Sequence, residues 1–132
     1  MKNIFFILFL ACAAHLSAQR VQNDSYSTVG YINSDGRVQS SNYSTLGYIN
    51  QDGRIQDASY RTIGYWDHNG RIQDGSYRTI GYVNDGRVQD SNYSTIGYVE
   101  NGRIQNSSYS TVGHYEGVPV RFVAMAWFFF FF

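Results

Sequence analysis

The 132-residue chain has one cysteine, one proline and one lysine, and each scarcity removes a class of explanation. The lone thiol, Cys12, has no partner within the chain, so no internal disulfide staples the fold. A single proline, Pro119, leaves everything before it free to pair as strand and turn. Ten basic residues against ten acidic ones give a formal net charge of +0, which offers no general attraction for nucleic acid, whose binding needs a clustered positive surface. Long apolar runs are missing too. The run Ile4 to Ala14 is about eleven residues, well short of the roughly 18–20 that a spanning helix needs.

That run follows Lys2 and precedes the small residues Leu16-Ser17-Ala18, a pattern that reads as a secretory signal peptide removed after Ala18. The alternative is a lipoprotein acylated at Cys12. It requires Phe9-Leu10-Ala11 as the recognition box, a role that Phe9 fits poorly. The expected organisation is residues 1–18 as signal peptide, 19–116 as a repeat domain and 117–132 as a hydrophobic tail. Export places the mature protein in the periplasm, at the cell surface or outside the cell. Loss of Lys2 leaves nine Arg against ten acids, and loss of Cys12 leaves no thiol, so a core and sheet hydrogen bonds must stabilise a domain of about 114 residues.

What the chain does have is one sentence written six times. Arg recurs at 20, 37, 54, 71, 87 and 103, a Tyr follows six residues after each, and Gly recurs at 30, 47, 64, 81, 97 and 113. Each 16- or 17-residue copy holds a short run, Arg-Ile/Val-Gln, and a longer one of the type Thr-Ile-Gly-Tyr-Val, rich in β-branched and aromatic residues and bounded by Asp, Asn, Ser and Gly. These are two strands per copy. Asp85-Gly86 and Asn101-Gly102 predict two-residue hairpin turns with positive φ. Asn33 to Arg37, Asn50 to Arg54 and Asp67 to Arg71 are one residue longer and suit a three-residue loop ending in a left-handed Gly, so the change of period is absorbed in the turn and Ile49 still faces Ile55 as Val99 faces Ile104.

The two-residue period sorts the copy beginning at Arg87 into an inner face of Val88, Tyr93, Thr95, Gly97 and Val99 and an outer face of Arg87, Gln89, Ser94, Ile96 and Tyr98. Ile96 and Tyr98 are the alternative core pair. Six copies predict an all-β fold, a closed shallow antiparallel barrel of about 12 short strands, in which the half-units Arg20-Val21-Gln22 and Tyr109 to Tyr115 pair to close the ring. Such a barrel is about 24 Å across, too wide for inward side chains alone to fill. The tail Gly117 to Phe132 is the candidate filler: as a helix of about 22 Å it would lie in or near the barrel centre, with Phe122, Trp127, Phe128, Phe129, Phe130, Phe131 and Phe132 either plugging the core or touching a membrane or partner. Strands of five to seven residues fall short of the nine to eleven of an outer-membrane barrel.

The repeat D/NGR-I/V-Q-D-x-x-Y-x-TIGY-I/V, followed by Gly117-Val118-Pro119-Val120-Arg121 and a run of Phe, resembles the β-flower proteins, bacterial chains whose β-hairpin repeats form the petals of a shallow symmetric barrel. The resemblance covers nearly the whole chain after the leader. It implies a pseudo-rotational barrel related in shape to the Tubby-like fold, where a hydrophobic helix threads twelve strands, and it implies no particular activity.

Chemistry is sparse. His15, His68 and His114 share no repeat position, the turn Asp residues lack the ordered ligand series of a calcium loop, and no Gly-x-Ser-x-Gly elbow is present, so the expectation is a protein without catalytic residues, metal or cofactor. The repeated Arg37, Arg54, Arg71, Arg87 and Arg103 occupy one symmetry position and could form a rim that engages anionic lipid heads or acidic glycans; cross-strand pairing with Glu100 and the turn Asp residues is the plainer use. The reading is therefore an exported, non-enzymatic structural or binding module, with a membrane-surface lipid binder as the alternative and oligomeric state left open.

Overall fold

A computed structural model describes residues 19–132, and the expected signal peptide with Cys12 lies outside the described residues. Twelve strands follow one another in the chain: β1 (Arg20–Asn23), β2 (Thr28–Ile32), β3 (Arg37–Ser40), β4 (Thr45–Ile49), β5 (Arg54–Asp57), β6 (Thr62–Trp66), β7 (Arg71–Asp74), β8 (Thr79–Asn84), β9 (Arg87–Asp90), β10 (Thr95–Glu100), β11 (Arg103–Asn106) and β12 (Thr111–Glu116). Each is antiparallel to its neighbours, and β12 pairs with β1 to close the barrel. The two ends of the repeat array therefore complete a sixth unit, with Val21 opposite Tyr115 and an ion pair between Arg20 and Glu116 beside it.

Both turn classes have the geometry that the sequence demands. Asp85 and Gly86 have φ of 47° and 88°, and Asn101 and Gly102 have 53° and 80°, the doubly left-handed turn that matches strand twist. In the longer turns only Gly36, Gly53 and Gly70 are left-handed, at 93° to 98°. Register is conserved across the two lengths, with Ile49 opposite Ile55 and Val99 opposite Ile104.

The inner wall is built from two columns. Short strands contribute Val21, Val38, Ile55, Ile72, Val88 and Ile104, all fully buried, and long strands contribute Ile32, Ile49, Trp66, Val83 and Val99. Val88, Gly97 and Val99 face inward as expected. Tyr93 does not. A bulge in each of the six strand pairs joined by a Tyr loop places one extra residue between the Thr and the Gly of the long strand: Thr95 pairs with Gln89 and Gly97 with Val88, leaving Ile96 unpaired. The bulge breaks strict alternation, so Ile96 packs half-buried against the core while Tyr93, beyond it, turns outward.

The tail is not one α-helix. After Pro119 it forms α1 (Val120–Met125) and then a π-helical turn over Ala126–Phe130. Phe122, Val123, Ala124, Met125 and Ala126 are buried in the same cluster as the strand residues. Beyond them Trp127 meets Gly113, and Phe128, Phe129, Phe130, Phe131 and Phe132 meet Gly97, Gly81, Gly64, Gly47 and Gly30. Six consecutive side chains thus rest on six successive long strands, taken in reverse chain order. An even sixfold fan needs about 60° per residue, whereas an α-helix advances about 100°. The backbone loosens accordingly: the amides of Phe131 and Phe132 both donate to the carbonyl of Ala126, each at 2.8 Å.

A Cβ at Gly64 would lie 2.5 Å from the Phe130 ring and 2.8 Å from the Gln73 carbonyl. We expect Gly64→Ala to destabilise the barrel by about 1–3 kcal/mol, and by less in a Phe130→Ala background, as read from urea unfolding midpoints. An equal loss in both backgrounds would mean that the strand backbone alone, not the ring, demands glycine.

Candidate functional site

The outer wall carries the repeated polar chemistry. Arg37, Arg54, Arg71, Arg87 and Arg103 open β3, β5, β7, β9 and β11, directly after the Gly turns, and all are exposed. In register, the first four sit opposite Tyr48, Tyr65, Tyr82 and Tyr98, and Arg103 sits opposite His114. Arg54 pairs with Asp52 at 3.1 Å and Arg71 with Asp67 at 3.6 Å. Among the described residues Arg37, Arg87 and Arg103 form no ion pair, and Glu100 faces Arg103 across the hairpin without bridging to it. The backbone amide of Arg54, followed by its guanidinium, holds the Asp52 carboxyl below its usual range despite partial desolvation.

The loops at the other end of the strands repeat a second device. Asp57 Oδ1 accepts from the amides of Ser59 and Arg61, at 2.9 and 3.0 Å, and Asn23, Asp74, Asp90 and Asn106 do the same in their loops. The position between the two capped amides needs a left-handed residue, and it is Tyr: Tyr26, Tyr43, Tyr60, Tyr77, Tyr93 and Tyr109 have φ between 66° and 70°. An L-residue there costs about 1–2 kcal/mol. Two contacts offset it. The Gln of the preceding short strand donates its amide to the Tyr carbonyl, as Gln56 does to Tyr60 at 2.9 Å. The ring itself stacks on the strand Tyr of the previous copy.

Those stacks ring the barrel. Tyr31–Tyr43, Tyr48–Tyr60, Tyr65–Tyr77, Tyr82–Tyr93 and Tyr98–Tyr109 have centroids 4.3 to 4.7 Å apart with planes within 12°. The sixth joins the chain ends, with Tyr26 on His114 at 3.9 Å. Each loop Tyr is 62–65% exposed, so one ring face is open to solvent. The hydroxyls meet as well, Tyr48 donating to Tyr60 at 3.0 Å. A hydroxyl bond to the partner ring raises the pKa of one tyrosine in each Tyr–Tyr pair above the ordinary 10.0, followed by desolvation at Tyr31, Tyr48, Tyr65 and Tyr82 and by the charge of Tyr98 at Tyr109.

The tail aromatics do not join this surface. Phe122 is buried, and Trp127 and Phe128 to Phe132 are half-buried against the core. The glycines they contact pair with Asn23, Ser40, Asp57, Asp74, Asp90 and Asn106, the last residues of the short strands, whereas the arginines are the first. On their other side the same glycines pair with Val21, Val38, Ile55, Ile72, Val88 and Ile104, next to the arginines, so what separates the two sets is the face: the arginines are exposed on the outer wall and the tail aromatics pack against the core.

Two features escape the sequence pattern. The stacking partner of each loop Tyr is a long-range neighbour that the two-residue period cannot reveal. The second feature is a break in symmetry at the Gly-turn rim, where Trp66, His68 and Arg121 come together. Trp66 occupies the column otherwise filled by Ile32, Ile49, Val83, Val99 and Tyr115, and that substitution was the visible signal.

Compared with known proteins, the chain matches the family model described as "5-fold beta-flower protein" over residues 18–132. No curated protein and no solved structure matches it. Five Gly-turn hairpins are present, and the β12–β1 pair makes the sixth unit of the ring.

Two measurements test the tyrosine ladder. Tyr60→Gly should leave the protein more stable than Tyr60→Ala by about 1 kcal/mol, because both lose the stack and only alanine keeps the left-handed strain; the reverse order in thermal melts would refute the strain argument. A raised phenol pKa favours the fold fully below pH 10.0 and loses that contribution as pH climbs through the folded value. Tyrosinate absorbance should thus show a population titrating above free tyrosine, with the melting temperature falling over the same pH interval.

Proposed function

The chain belongs to the β-flower family, and from that footing we propose that it is an exported, non-enzymatic binding module whose outer wall holds an extended glycan. The observation that carries this reading is the ladder of stacked aromatic pairs, each loop Tyr open on one face. A flat aromatic face accepts the apolar face of a sugar ring, and the neighbouring Arg and Gln side chains supply hydrogen-bond donors for hydroxyls and carboxylates. Single contacts of this kind are weak. Repetition around one rigid barrel makes the second and third contacts intramolecular, which raises the overall affinity without any new chemistry.

Export rests on the leader-like segment at residues 1–18. The absence of catalysis is supported by the way the polar side chains are spent, since the Asp and Asn residues that begin the Tyr loops cap backbone amides there. A glycan fits better than an anionic membrane. The arginines are exposed on the outer wall and the half-buried aromatics pack against the core, so one flat bilayer would not meet both. Arg37, Arg87 and Arg103, which form no ion pair among the described residues, favour a polymer that carries carboxylates.

Affinity electrophoresis of the mature protein through gels containing alginate or dextran tests the proposal. Retardation by alginate is expected, reduced several-fold when Arg37, Arg87 and Arg103 are all changed to Gln. Migration unaffected by either polymer would refute it. Flotation with phosphatidylglycerol vesicles, abolished by deletion of residues 122–132 while circular dichroism stays β-rich, would instead establish the membrane-surface alternative.

A further inference from the structure

We propose that the cleft at the Gly-turn rim, beside Trp66 and Arg121, binds a small monocarboxylate with an apolar body. The cleft encloses about 410 Å³ and lies between the Trp66–Gly70 turn, the Asn84–Gly86 turn and the Pro119–Met125 stretch. That volume suits a small molecule. It is a single-copy site, separate from the sixfold outer wall, and does not depend on the glycan reading.

The cleft has an apolar floor of Ile72, Val83 and Met125 and a wall of Trp66. Its cation is held in place before any ligand arrives. The Arg121 guanidinium lies 5.3 Å from the centre of the Trp66 ring, and its Nη1 is 3.1 Å from His68 Nδ1. Because guanidinium stays protonated, Arg121 donates and the His68 nitrogen accepts. Trp66 is fixed in turn by its own Nε1, which donates to the Asn50 carbonyl at 3.0 Å. Among the described residues no carboxylate lies within 4.0 Å of Arg121, so most of its five donors remain available. A fixed guanidinium fork above an apolar floor matches a carboxylate head on a hydrocarbon body.

The two acidic residues of the cleft limit the ligand's charge. Asp67 is already compensated: its Oδ1 accepts from the amides of Asn69 and Arg71, and its Oδ2 lies 3.6 Å from the Arg71 guanidinium. Asp85, on the facing turn, makes no ion pair among the described residues. It disfavours a second negative charge on the ligand. One carboxylate is accommodated and two are not.

Hexanoate and phenylacetate are suitable probes, with Trp66 emission as the readout in a Trp127→Phe protein. That background is conservative, since Phe fills the equivalent place against five of the six glycines. Both probes should change the emission saturably, with affinity falling about tenfold or more in Arg121→Gln. Adipate should bind weakly and improve in Asp85→Asn. No saturable response from a folded protein would overturn the proposal. So would equal binding of phenylacetamide, or an unchanged affinity in Arg121→Gln, because either result reduces the cleft to a greasy surface.

Discussion

Six aromatic rings resting on six glycines are the contact on which this fold depends. Each short strand offers the interior a single Val or Ile, and each long strand offers one large residue and a Gly. Twelve such strands enclose more space than those side chains fill. Tail residues join the wall residues in one buried cluster, and the tail rings lie where the wall has no Cβ. A Cβ at any of these glycines would meet both a tail ring and a backbone carbonyl of the adjoining short strand, so each glycine serves the packing of a distant segment and the close approach of its own neighbouring strand. Their cost in backbone entropy is set against burial of aromatic area worth about 25 cal/mol per Å².

The same constraint accounts for the helix that loosens. A repeat with sixfold rotation fixes the directions in which the rings must point, and the tail has to reach all of them from consecutive residues. An α-helical step overshoots. The carbonyl of Ala126 receives two amides, from five and six residues further on, and the chain opens into a wide final turn that distributes one ring to each strand. Local hydrogen-bond geometry yields to the symmetry of the wall, which is the larger source of burial.

Much of this was legible in the sequence. The period gave the hairpins, the Gly dipeptides gave the turns, and the leftover half-units at Arg20 and Tyr115 gave the closing pair, because turn chemistry and strand register are written in neighbouring residues. The inward Val88, Gly97 and Val99 follow from alternation. Tyr93 does not, since a bulge at Ile96 breaks the alternation and a left-handed backbone throws the ring outward onto Tyr82. Stacking between copies is a tertiary fact. The Phe run stood out as an apolar tail that breaks the repeat, but the pairing of Trp127 with Gly113 and Phe132 with Gly30 depends on a π-helical turn that no local propensity announces.

The cleft beside Trp66 shows what a near-perfect repeat hides. Counting by copies directs attention to what recurs, and so toward the arginines, half-committed as they are to ion pairs. Yet the tail cannot obey the symmetry it serves. It approaches the barrel once, from Gly117, and passes one part of the rim rather than six. Where it passes, Trp66 stands in for a smaller Ile or Val, His68 for a Ser or Gln, and Arg121 is drawn over the indole. A symmetric wall and an asymmetric filler must differ somewhere. At that mismatch the wall can diverge from its sister copies without disturbing the six ring contacts, and there a site specific to this chain has room to form.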